Sequence, residues 1–362
     1  MKTRIKKIFN PQIDPINRIF IHSRNILHNF EYLQTLQSQS SIFPVLKSNA
    51  YHLVNITKIL SKTNAPYLAV DSFPEYQIVK KYSKKNILIL ETNKKNYKKF
   101  KFSRSTFCVY NIETIKYLAE LNRNIKIHLF LDTGMHREGT NENELINILE
   151  FLKNYPKIYI EVLSHLYSAD NEDNNSLLEQ IKLFKKMYHT IIDYYNPIRK
   201  HIGNSALFKI KDDFFNAYRP ISLYGYTPLS ESDLYHDLTK KLRPAITITS
   251  KIVSLHDITS DQVSYNYTRV SKDDSKVACI PLYAELPRSS SNQIYFKYKD
   301  CVVPQIGTIC MNLCCLDIDQ EASIDTIEII LEENSIQNLS KNSDKIVYEI
   351  LVLDKGIRRK IV

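Results

Sequence analysis

Glycine is scarce: the chain has 6 in 362 residues, where average usage near 7% gives about 25. Few tight turns therefore have a glycine at hand where positive φ is needed. Long apolar runs are missing too, and none approaches the roughly 18 residues of a membrane span. The first residues, Met1 to Phe9, are basic but hold no apolar core region, so they do not read as a signal peptide. Paired cysteine spacing is also lacking. The 6 cysteines, at 108, 279, 301, 310, 314 and 315, do not fit a structural zinc site and are expected to be reduced thiols. What remains, with 43% hydrophobic and 24% charged residues, is the composition of a cytoplasmic globular protein with a substantial core.

The formal charge of +10 and a pI near 9.0 are compatible with nucleic acid, and Lys94 to Phe102 interleaves bases with aromatics as such sites do. The same stretch serves as a solvated helix, and lysine and asparagine are spread over the whole chain rather than gathered on one segment. No nucleic-acid or membrane partner is therefore expected. A positive field equally suits an anionic small molecule.

At 362 residues the chain exceeds what one core usually holds, so two unequal domains are expected. Short apolar or alternating runs begin near Phe43, Tyr67, Asn86, Thr106, Ile125, Ile158, Lys200 and Asn216, each followed by helical periodicity. These βα units, with a leading helix near 24 to 38, fit a (β/α)8 barrel better than an open doubly wound sheet. Between 176 and 195 a stripe of Leu177, Ile181, Phe184, Tyr188, Ile191 and Tyr195 predicts a helix, with Ser176 and Glu179 as a capping box. From about Arg243 the pattern turns to alternation, as in Ile246 to Val253, with no long helical stripe until the last twenty residues. The expected division is a barrel over 1–240 and a smaller, mainly β domain over 241–362.

In a barrel, chemistry sits at the carboxyl ends of the strands. Lys47 and Tyr51 follow the first strand, Asp132 and Arg137 the fifth, His165 the sixth, Asn204 and Ser205 the seventh, and Arg219 the eighth. Lys47 ends an apolar run at Phe43-Pro44-Val45-Leu46, where a lysine can present its amine to a pocket and be desolvated there. One such residue means little, since a lone polar group at a strand end is usually a satisfied hydrogen-bonding residue. Their convergence on one rim is harder to dismiss.

The motifs carrying these residues are Leu46-Lys47-Ser48-Asn49-Ala50-Tyr51, Leu131-Asp132-Thr133-Gly134-Met135-His136-Arg137, Ser164-His165-Leu166-Tyr167 and His201-Ile202-Gly203-Asn204-Ser205. Arg219-Pro220-Ile221-Ser222, Val263-Ser264-Tyr265, Pro281-Leu282-Tyr283 and Gly307-Thr308-Ile309-Cys310-Met311-Asn312 follow. In this order they resemble the alanine racemases, pyridoxal-phosphate enzymes built from a barrel and a β domain. The resemblance implies that Lys47 carries the cofactor and acts as one base, with Tyr265 as the second base on the opposite face. It implies that His165 and Arg219 stabilise the Tyr265 phenolate, and that Arg219 faces the pyridine nitrogen as a permanent cation. Tyr51, Ser205 and the backbone at Ile221 and Ser222 would cradle the phosphate. Arg137 and the Met311 amide would hold the substrate carboxylate, and Tyr283 would narrow the entrance to suit alanine. A head-to-tail homodimer is implied, with Tyr265, Tyr283 and Met311 serving the partner's cofactor, and the product would be D-alanine for peptidoglycan. Racemases of serine, lysine or broader range share these motifs, and a catalytically impaired pyridoxal-phosphate-binding homologue is a further alternative.

The chain departs from the family in places. Phe130 stands where many members carry a lysine modified to a carbamate that holds the carboxylate-site arginine, so Arg137 is expected either to be looser or to be held by another acceptor. Asn312 replaces the usual aspartate. Single residues are missing at Tyr51-His52, His52-Leu53, Pro220-Ile221, Ser260-Asp261, Leu282-Tyr283 and Glu285-Leu286, junctions where the family usually has glycine. Random deletion does not select one residue type in tight loops. The pattern implies that the gene encodes glycines absent from the written chain, as a reassigned codon would leave them; the rival account is a decayed paralogue. Sequencing the gene is expected to show an extra codon between Tyr51 and His52 and between Pro220 and Ile221, and continuous codons there would overturn the idea.

Overall fold

The computed structural model describes residues 16–36, 39–48, 52–90, 94–169, 175–197, 199–205, 207, 214–215, 217–218, 225, 240–257, 262–265, 276–281, 291, 294–318, 328–331 and 358–361. After β1 (Arg18–Ile21) come β2 (Ser41–Ile42), β3 (Tyr67–Val70), β4 (Asn86–Ile89), β5 (Ser105–Val109), β6 (Ile125–Phe130), β7 (Ile158–Leu163), β8 (Lys200–His201) and β9 (Ala217–Tyr218). Strands β3 to β8 pair in parallel and in chain order. A bridge from Val45 to Ala69 joins the segment after β2 to β3, and β2 pairs in parallel with β9, so that β2 to β9 supply the eight strands of a (β/α)8 barrel. The strand starts lie within two residues of those the sequence predicts.

Strand β3, YLAV, is apolar and buried on both faces, as a parallel strand covered by helices is. Leu68 and Val70 belong to the large core under the helices, whereas Tyr67 and Ala69 join Phe43 and Leu88 inside the barrel. The helices are α1 (Ser23–Leu36), α2 (Leu53–Leu60), α3 (Phe73–Tyr82), α4 (Ile112–Glu120), α5 (Glu142–Leu152) and α6 (Asn175–Ile192). Ser72, Asn111 and Asn141 cap α3, α4 and α5 by accepting from the N–H three residues on. Helix α6 buries Leu177, Ile181, Phe184 and Ile191 as expected, but it already runs from Asn175, so Ser176 lies inside the first turn rather than capping it. Among the described residues no helix is long and apolar enough to cross a membrane.

The aromatics of the basic stretch turn inward. Lys94–Lys99 is a 3-10 helix, and Tyr97 and Phe100 are buried against Phe107, at ring-centroid distances of 4.9 and 5.4 Å. They are core residues and present no stacking surface to bases.

The second sheet contains β10 (Ile246–Lys251), β11 (Ser254–Asp257), β12 (Lys276–Ile280), β13 (Tyr295–Tyr298), β14 (Cys301–Ile306), β15 (Cys314–Ile318), β16 (Glu328–Leu331) and β17 (Arg358–Ile361). Its order is β11-β12-β15-β14-β13-β16-β10-β1-β17. Two expectations are corrected here. Strand β1 precedes the barrel yet lies between β10 and β17, because Ile19 and Ile21 alternate into a buried face; residues 18–21 therefore count with the second sheet rather than with 1–240. Of the last twenty residues, read as carrying a helical stripe, 358–361 form a strand pairing in parallel with β1, and the others lie outside the described residues.

The barrel interior holds a buried polar network. His128 on β6 contacts His201 on β8 (Nδ1 to Nε2, 2.8 Å) and Glu161 on β7 (Nε2 to Oε2, 2.9 Å). Glu161 Oε1 also accepts from Tyr67 Oη at 3.2 Å and Arg199 Nη1 at 3.1 Å. Burial pushes the Glu161 carboxyl up, but the His128 hydrogen bond and charge, with Arg199, outweigh it and hold the group below its ordinary 4.5. Burial and the Glu161 charge push Tyr67 up to about 12. Cys108, Phe130 and Leu163 form the apolar layer next along these strands, so the network is set apart from the carboxyl rim.

Candidate active site

At the first strand end, Leu46 N donates to Ala69 O (2.7 Å) and Ala69 N to Pro44 O (2.8 Å). These bonds fix the backbone so that Leu46 is fully buried and Lys47, the next residue, is exposed at the rim. The chain then adopts left-handed backbone at two non-glycine residues, Ser48 (φ 59°) and His52 (φ 80°). His52 opens α2 with no side-chain cap. An L-residue rarely adopts this conformation without strain.

The fifth and sixth strand ends are laced together. Asp132 accepts from the N–H groups of Gly134 and His136, both at 3.0 Å, and from His136 Nδ1 at 2.9 Å. Burial raises its pKa, but these donors outweigh burial and hold the carboxyl below its ordinary range. The turn they stabilise delivers Arg137, whose Nε donates to Glu138 Oε2 at 2.6 Å. Phe130 packs with Cys108 and Leu163 and makes no contact of this kind with Arg137. Gly139 has φ 121°, and a Cβ there would lie 2.5 Å from Asp132 N, so this glycine permits the turn to close.

Gln180 of α6 is a residue that the sequence reading missed, hidden within a helical stripe. It is buried, its Nε2 donates to Thr133 Oγ1 (3.2 Å) and His165 O (3.3 Å), and its Oε1 accepts from Tyr167 N (3.1 Å). Thr133 Oγ1 lies 2.8 Å from Ser164 Oγ, which donates to Leu131 O at 2.7 Å. The loops bearing Arg137 and His165 are therefore held as one unit, with His165 half-buried. At the seventh end Ser205 is buried, and Asn204 Oδ1 accepts from Leu207 N at 3.2 Å. Tyr51, Arg219, Ile221, Ser222 and Tyr283 lie outside the described residues.

In the second sheet's loops, Ser264 Oγ donates to Thr308 O (2.5 Å) and Thr308 Oγ1 donates to Tyr265 O (3.2 Å). Gly307 (φ 68°) permits this approach, since a Cβ would lie 2.6 Å from Val263 O. The two loops thus carry Tyr265, 58% exposed, and Met311, 81% exposed, as one assembly. Asn312 is exposed beside Met311.

Reactive side chains on the carboxyl rim of a parallel barrel, together with a phenol borne by a separate β domain, define a two-domain barrel enzyme. Residues 21–228 match the alanine racemase N-terminal domain, and residues 245–360 match the alanine racemase C-terminal domain. The chain belongs to the alanine racemase family. It is 28% identical over 354 residues to an alanine racemase of Borreliella burgdorferi (strain ZS7), covering 92% of this chain and 93% of the relative. It is 29% identical over 357 residues to an alanine racemase of Aquifex aeolicus (strain VF5), covering 94% and 98%. The crystal structure of alanine racemase from D-cycloserine producing Streptomyces lavendulae has the same fold, with a TM-score of 0.88, 18% identity, and coverage of 96% and 97%.

Proposed function

We propose that this chain interconverts L-alanine and D-alanine with pyridoxal phosphate, in the cytoplasm, supplying D-alanine for peptidoglycan. The observation that carries the reading is the exposed amine of Lys47 at the end of the first barrel strand, in a chain whose two domains both match this family. The residues present suit the cofactor: an amine to carry its aldehyde carbon, and a buried hydroxyl, Ser205, for its phosphate. Tyr51, Arg219, Ile221 and Ser222 complete the set. Once bound, pyridoxal phosphate withdraws electrons from the substrate's Cα–H bond.

The chain's own groups move and orient. Lys47 takes or returns the Cα proton on one face, and Tyr265 does so on the other. Arg137, held by Glu138 and set by the Asp132 turn, orients the substrate carboxylate with the Met311 amide. His165 and Arg219 favour the ionised phenol of Tyr265, and Tyr283 limits the entrance to a small side chain. Tyr265, Met311 and Leu313 are exposed in the single chain, which supports a head-to-tail homodimer whose second copy covers them.

Exchange of the alanine α-hydrogen with solvent deuterium tests the reading. Wild-type protein is expected to exchange both enantiomers, and Tyr265→Phe is expected to lose exchange from one of them by about 10²- to 10⁴-fold. Cofactor absorbance without any turnover by the wild type would instead favour a binding homologue, the reading that the left-handed Ser48 and His52 beside Lys47 make worth testing.

A further inference from the structure

All six cysteines are free thiols, and four of them lie at 279, 310, 314 and 315. Cys279 on β12 and Cys315 on β15 face each other in the antiparallel register, with Sγ atoms 3.7 Å apart. Facing residues on antiparallel strands have Cα atoms about 4.5 or 5.5 Å apart. Both separations fall within the span a disulfide accepts, so closure asks for side-chain rotation rather than backbone movement. Neither thiol is fully buried, and both pack against an apolar group of Val263, Val277 and Ile306.

The two thiols are chemically unequal. The hydrogen bond from Cys315 outweighs burial and lowers the Cys279 thiol from its ordinary range, which favours its thiolate. The same hydrogen bond, with burial, pushes Cys315 up and keeps it protonated. Cys314 is fully buried and its pKa is raised, first by desolvation, which leaves it inert. Cys310 Sγ lies 3.6 Å from Ser264 Oγ, within the loop assembly that carries Tyr265.

We propose that Cys279 and Cys315 form a peroxide-oxidisable dithiol that closes to a disulfide next to the Tyr265 segment. The Cys279 thiolate attacks one peroxide oxygen: an S–O bond forms, the O–O bond breaks, and hydroxide leaves and is protonated to water. Cys315 then loses its proton and attacks that sulfur: the S–S bond forms, the S–O bond breaks, and a second water leaves. Two thiols are oxidised by two electrons in total, and one peroxide is reduced to two waters. The bridge ties β12 to β15 beside Val263, at the base of the loop from Gly307 to Cys310 that holds Ser264 and Tyr265.

The test is a hydrogen peroxide titration of the cofactor-loaded protein, followed by peptide mass spectrometry with and without dithiothreitol. The expected product is one cross-linked peptide pair joining Cys279 to Cys315, reversed by dithiothreitol, lost in Cys279→Ser and in Cys315→Ser, and kept in Cys301→Ser. Alkylation of Cys279 is expected to set in at a lower pH than is usual for a free thiol. A bridge to Cys310, sulfinic acid at Cys279 beside an intact Cys315 thiol, or no reaction at peroxide that already oxidises exposed Cys301 would each overturn the proposal.

Discussion

Lys47→Ala is expected to lower racemisation by at least about 10³-fold, the largest effect of any single change in the chain. One positioned acid–base group contributes roughly 10²- to 10⁴-fold, and in the proposed function this amine also carries the cofactor, so two functions fall together. Stability should hardly move. Lys47 is exposed, and the bonds that set its backbone run through Leu46, Ala69 and Pro44, so unfolding should stay within about 0.5 kcal/mol of wild type. The measurement is D-alanine formation at saturating substrate and cofactor, with a urea titration in parallel. Near-normal turnover by a folded Lys47→Ala protein would remove Lys47 from the mechanism.

Glu161→Ala is expected to show the opposite profile, with a loss of about 3–5 kcal/mol in stability, because it strips a buried partner from His128 and Arg199. Glu161→Gln keeps the shape and should cost less. The pH dependence follows from the shifts. Glu161 has a folded-state pKa below its unfolded value near 4.5, so its contribution is complete above that pH and is lost as pH falls through the lower folded value. Tyr67 is shifted the other way, to about 12, so its contribution holds below pH 10 and is lost as pH rises from there through about 12. Urea midpoints across pH should fall away at both ends for wild type and lose the acid dependence contributed by residue 161 in Glu161→Gln. An unchanged acid limb in that variant would show that the network does not set it.

The sequence made the barrel legible because its strands are short apolar or alternating runs between helical stripes, a pattern that survives without any knowledge of pairing. It also showed the rim residues, since Lys47, Asp132 and His165 each follow such a run directly. The interior network was hidden: His128 and Glu161 sit at every-other-residue positions where a polar side chain looks solvent-facing, and only barrel closure turns those positions inward. Gln180 was hidden for the same reason, as a polar residue in a helix whose loop-facing role depends on tertiary contact. Phe130 showed that Arg137 was either loose or held elsewhere, and only the geometry showed its hydrogen bond to Glu138. Strand β1 escaped notice because four residues before a helix carry no sign of partners far along the chain.

That strand has a consequence for how the molecule comes into being. Arg18 is made more than two hundred residues before Thr249 and more than three hundred before Arg358, its two neighbours in the sheet. The barrel can assemble from local βα units as they appear, while β1 waits as an unpaired edge until the last strand arrives. During that interval Arg18–Ile21 is the segment most exposed to pairing with another nascent chain, and slow translation of residues 250–358 would lengthen the risk.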